Sequence, residues 1–103
     1  MTKAEFLGSG GIAGFVIEGH STENEQDIEG KTVCSAVSSA AYMAANTITE
    51  IIGDSADTEV CDGYMRFEIK NPCESSKLVL EGLRLHLKEL SKQYGKRLSI
   101  TEV

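Results

Sequence analysis

His20 and Cys34 stand at the two ends of one polar loop, His20 closing an apolar run and Cys34 opening a run of small residues. Imidazole and thiol are the two groups a cysteine hydrolase needs. The sulfur attacks, and the imidazole takes the thiol proton and later returns it to the leaving group. With a helix starting at about Thr32, Cys34 falls in the first turn, where unpaired N–H groups and the positive end of the helix dipole favour a thiolate. The same amides, with Ser35 next along, are suited to receive the oxyanion of a tetrahedral intermediate. The bland reading of both residues is structural: cysteine on an alanine-rich helix is commonly a small buried hydrophobe, and a histidine ending a strand is commonly a surface residue.

The remaining chemistry-bearing residues point elsewhere or nowhere. Cys61 and Cys73 have no base beside them in sequence, and His86 sits at the edge of an apolar helical stripe. Three cysteines without a Cys-x-x-Cys pair suit neither a secreted disulfide framework nor a zinc site built from local ligand pairs. The expectation is reduced, intracellular cysteines, no metal and no cofactor. A metal-binding domain built on the three cysteines is the weakest alternative.

The elements that must position His20 and Cys34 follow from the pattern. Residues 2–7 alternate and run into Gly8-Ser9-Gly10-Gly11, and Ile12 to Glu18 then return as a second strand, so this is a β-hairpin. Residues 21–31 are acidic and close with Gly30, which reads as an exposed, mobile loop of the kind that often gates a site. Helix one is expected over Thr32 to Ile52, capped by Thr32, stopped by Gly53, and buried along Val33, Val37, Ala40, Ala44, Ile48 and Ile51. A second hairpin turns at Asp62-Gly63, with Met65, Phe67 and Ile69 on one face. Helix two is expected over Glu74 to Tyr94, capped by Ser75 or Ser76, and a short strand over Lys96 to Val103 ends the chain. The order is ββαββαβ, about five strands with two helices. It predicts an α+β two-layer sandwich formed by one domain, residues 1–103.

At 103 residues, 41% hydrophobic and 25% charged, the chain has the composition of an ordinary globular domain. No apolar run approaches the roughly 20 residues of a membrane span, and no signal-peptide core opens the chain. A cytoplasmic location without membrane contact is therefore expected. The net charge of −6 argues against a phosphate backbone as the main partner and suits a basic protein or peptide.

Gly19-His20, the loop, and Val33-Cys34-Ser35-Ala36-Val37-Ser38 together resemble the ribosomal-processing cysteine protease family Prp, whose members pair a Gly-His-Ala with a Val-Cys-Ala-Ala-Val-Ser-like helix start. Length and element order are similar as well. The resemblance implies a small, homodimeric bacterial endopeptidase that removes an N-terminal extension from large-subunit ribosomal protein twenty-seven, a basic substrate. It implies His20 as base and Cys34 as nucleophile, with Gly19, Ser35, Ser38 and Asp27 at substrate-binding or oxyanion positions. Two residues depart from the family pattern: Ser21 replaces the usual Ala, and Lys31 stands where the family commonly has Asp, three residues before the cysteine. Asp27 is the loop carboxylate available to compensate. The alternative implied by Lys31 is a non-catalytic ribosome-associated assembly or binding module of the same fold.

Overall fold

A computed structural model describes residues 1–20, 22 and 24–101. The chain opens with an antiparallel hairpin of β1 (Thr2–Leu7) and β2 (Gly14–Glu18), in which Phe6 lies opposite Phe15. A second hairpin joins β3 (Ala56–Cys61) to β4 (Tyr64–Ile69) through Asp62-Gly63. Local pairing ends there. β2 pairs antiparallel with β4, putting Phe15 opposite Phe67, and β5 (Leu98–Thr101) pairs parallel with β1. The sheet order is β3-β4-β2-β1-β5.

Side chains alternate across a strand, and here one alternate set is buried: Ala4, Phe6, Phe15, Met65, Phe67 and Ile69. The Phe15 and Phe67 rings stack with centroids 5.4 Å apart. On the opposite face, Lys3, Glu5, Glu18, Asp57 and Glu59 are exposed. Helices α1 (Ile28–Asn46) and α2 (Glu74–Gln93) supply the other half of the core through Val33, Val37, Ala41, Ala44, Leu80, Leu83 and Leu87. This is the α+β two-layer sandwich expected from the order of elements.

Both ends of helix α1 differ from expectation. Helix α1 begins at Ile28, not Thr32, because the Asp27 carboxylate accepts the Gly30 N–H at 3.0 Å and caps the helix five residues before the expected cap. Gly30 is buried within the helix and closes no loop, and the Thr32 hydroxyl donates to the Ile28 carbonyl. The expected mobile loop is correspondingly shorter, and its Ser21 and Glu23 lie outside the described residues. At its other end, α1 widens into a π-helical turn over Thr47–Ile52, with the Gly53 N–H bonding to the Ile48 carbonyl. The wider turn rotates the helix face, so Ile48 is buried while Ile51 is exposed, contrary to its expected place in the stripe.

Helix α2 starts after Cys73, and neither Ser75 nor Ser76 caps it. Ser76 is fully buried instead, its hydroxyl donating to Asp54 at 2.6 Å, while the Cys73 N–H reaches the same carboxylate oxygen. The last strand occupies Leu98–Thr101, inside the expected span, whose Glu102 and Val103 lie outside the described residues. No described helix is long and apolar enough to cross a membrane.

Candidate active site

The strand order creates the site. Because β2 runs antiparallel beside β4, the end of β2 meets the β3–β4 turn, and the Gly19 N–H donates to the Gly63 carbonyl at 2.9 Å. On its other side, the His20 carbonyl accepts the Met1 ammonium at 2.8 Å. His20 is thus anchored through its backbone between β1 and the β3–β4 turn.

Two glycines make that anchoring possible. Gly19 has φ +94, and a Cβ added there would lie 2.3 Å from the Met1 carbonyl oxygen, so neither the conformation nor the space admits a side chain. Gly63 has φ +70, and a Cβ there would come within 2.6 Å of His20 Nε2. The imidazole therefore lies against the bare backbone of the hairpin turn. Asp62, the other turn residue, has its Oδ2 3.9 Å from the same nitrogen.

Helix α1 provides the facing wall. Val33, Val37, Ala41 and Ala44 pin the helix to the sheet, and Cys34 and Ser38 follow one turn apart on the adjoining stripe. His20, Cys34, Ser38 and Gly19 all line one cleft of about 220 Å³. Its apolar floor comes from Ile17, Val37, Ala41 and Met65, and Tyr42 and Tyr64 flank it. Cys34 is half-buried.

The helix-start rationale for Cys34 does not survive the earlier α1 boundary. Cys34 lies nearly two turns inside α1, and the field of a helix end falls off within the first turn. The Ser35 amide is likewise inside the hydrogen-bonded run, and the exposed Ser35 side chain is not among the residues lining the cleft. The amides beside Ser35 are therefore not helix-start amides; among the described residues, Ser38 is the serine that lines the cleft.

Asp27 is also placed differently. It caps α1 and forms an ion pair with Arg97, whose guanidinium also binds Glu29 at 2.8 Å. These hydrogen bonds, from Glu29 first and then Asp27, raise the Arg97 pKa above its ordinary value. Asp27 does not line the cleft, and Lys31 is exposed. Among the described residues, the carboxylate at the cleft is Asp62 of the hairpin turn, where local spacing marks only a turn. Cys61 lines the cleft too, whereas Cys73 is the N-cap residue just before α2 and His86 is exposed on α2. Among the described residues no group of three or more His, Cys, Asp or Glu side chains is placed to hold a metal ion.

A family model described as cysteine protease Prp matches residues 1–99. The chain belongs to the Prp cysteine protease family. Its fold is similar to that of the essential ribosomal processing protease Prp from S. aureus in complex with a substrate peptide, with a TM-score of 0.88, 14% identity and both chains fully covered. The S. aureus protease in complex with a covalently linked product peptide gives 0.84 and 17% over the same coverage. SMU.848 from Streptococcus mutans gives 0.78 and 21%, covering all of this chain and 94% of that one. No curated protein gives a significant match. Membership in Prp makes this chain a cysteine-type peptidase, and its cleft is the place to look for the reacting groups.

Proposed function

We propose that this Prp-family chain is an endopeptidase that processes a ribosomal protein, with Cys34 as nucleophile and His20 as general base. The observation that carries the reading is that those two residues, from separate elements, line one cleft. In this reading His20 takes the Cys34 proton, and the thiolate sulfur bonds to the scissile carbonyl carbon. As the tetrahedral intermediate collapses, the imidazolium gives its proton to the departing amine and a thioester remains. His20 then takes a proton from water, whose oxygen attacks the thioester carbonyl, and Cys34 leaves as the thiol. Ser38, one helical turn from Cys34, is the hydroxyl suited to the oxyanion or the substrate backbone, and the bare Gly19 backbone lets a peptide approach His20.

The substrate in this reading is large-subunit ribosomal protein twenty-seven carrying an N-terminal extension. Support comes from the family and from the ribosomal processing described for the S. aureus protease of the same fold. The net charge of −6 suits a basic ribosomal protein. The enzyme acts as a single cytoplasmic domain, as a homodimer, and needs no metal, cofactor or nucleic acid. Incubating the purified protein with the extended ribosomal protein and measuring intact masses tests this. One specific cut by wild type and none by Cys34→Ala is expected; a cut by both contradicts the assignment.

Lys31 favours a second reading, an assembly module that binds the ribosomal protein without cutting it. Co-purification with the extended protein and no cleavage would support that alternative.

A further inference from the structure

We propose that Asp62, at the β3–β4 turn, is the positioning residue for the His20 imidazole, an inference that rests on the protease reading of the cleft. The imidazole lies on the turn backbone because Gly63 has no side chain; a Cβ there would sit 2.6 Å from Nε2. The Gly19 N–H to Gly63 carbonyl bond ties the turn to the strand end that carries His20, so turn and histidine keep a common frame. Within that frame, among the described residues, the carboxylate that faces Nε2 belongs to Asp62, at 3.9 Å.

An imidazole has two nitrogens with separate tasks, and the hydrogen bond made by one decides which tautomer the other presents. A carboxylate at Nε2 favours a proton on that nitrogen and leaves Nδ1 with its lone pair, free to accept a proton from a thiol. Cys34 on α1 and His20 line the same cleft, so the nitrogen farther from Asp62 is the one available for it. The turn thus supplies the carboxylate that position 31, a lysine, does not.

The pair is loose in the free protein. Asp62 is 99% exposed and the His20 side chain 55%, and water screens charges at that exposure. A peptide lying along the cleft removes water from one side of the imidazole, and the same carboxylate then acts through a lower dielectric. Asp62 therefore acts on the bound complex more than on binding, and its removal separates kcat from KM.

The test is steady-state cleavage of the extended ribosomal protein by wild type, Asp62→Asn and Asp62→Glu, with ¹⁵N imidazole shifts of His20 read in each with the product peptide bound. Asn-Gly supports a tight turn as well as Asp-Gly does, so the Asn variant should keep the wild-type melting temperature. Expected are a fall in kcat of roughly 10- to 100-fold with KM within about 2-fold, loss of the Nε2-protonated bias, and recovery of most of kcat in the Glu variant. Wild-type kcat and an unchanged tautomer ratio in Asp62→Asn would overturn the proposal and leave the protease reading standing. No cleavage by wild type, with Cys34 no more reactive than Cys61 and Cys73, would overturn both.

Discussion

Arg97, just before β5, reaches across 70 positions of sequence to bind Asp27, the residue that caps the helix carrying Cys34. One guanidinium thereby connects the strand that completes the sheet edge to the start of α1, and Glu29 in the first turn shares it. Helix start, cap and last strand are a single structural unit. The cleft depends on it, because Cys34 and His20 line one cleft only while α1 keeps its position over the sheet.

Asp27 performs two tasks that substitution can separate. Asp27→Asn keeps a competent N-cap and loses only the ion pair, whereas Asp27→Ala loses both. The loss of the cap is worth about 1 kcal/mol. In chemical denaturation, Asp27→Ala is therefore expected to be the less stable of the two by about that amount, with m-values unchanged. Equal stability of the two variants would remove the capping role.

Asp54 makes stability depend on pH at the acid end. Its carboxylate accepts the Ser76 hydroxyl and the Cys73 N–H, and these bonds, the Ser76 one first, hold its pKa below the usual carboxylate range. A carboxyl with a lowered folded-state pKa contributes stability that is present above its unfolded value and lost as pH falls through the folded one. Asp54→Ala should therefore melt well below wild type at pH 7. The gap should close progressively as pH falls below about 4, where the unfolded carboxyl begins to protonate. A gap that stays constant down to strong acid would show that Asp54 acts through something other than its charge.

Gly19→Ala tests the anchoring of His20. The added methyl group would meet the Met1 carbonyl oxygen at 2.3 Å, at a φ of +94. Strain of that kind costs on the order of 1–3 kcal/mol. Because relief requires moving the strand end that bears His20, turnover should fall further than stability alone explains. Full activity in a folded Gly19→Ala variant would contradict the close backbone approach.

Much of the fold is legible locally. The alternation of β1, β2 and β4 and the Asp62-Gly63 turn are each contained in a few consecutive residues, and the strands form there. Where tertiary contacts decide, local reading goes astray. Gly30 reads as a loop closer but is buried in α1, because Asp27 starts the helix before it. Ile51 reads as core but is exposed, because the π-turn after Asn46 changes the helical phase. Ser76 reads as a cap but is buried against Asp54, 22 positions away. The site divides the same way. His20 and Cys34 announce themselves by residue type at the ends of one loop. Asp62 and Tyr64 reach the cleft only because β2 pairs with β4, a pairing that no local pattern encodes.

The central claim, that Cys34 is an activated nucleophile beside His20, is tested most directly by site-resolved alkylation of the folded protein at neutral pH. Accessibility favours the other two thiols: Cys61 and Cys73 are exposed, whereas Cys34 is half-buried. With substoichiometric iodoacetamide and mapping of each cysteine by mass, activation by His20 predicts the reverse order. Cys34 should react at least about 10-fold faster than either, and His20→Ala should abolish that advantage. Rates that follow exposure, with Cys34 slowest in wild type and unaffected by His20→Ala, would contradict the account.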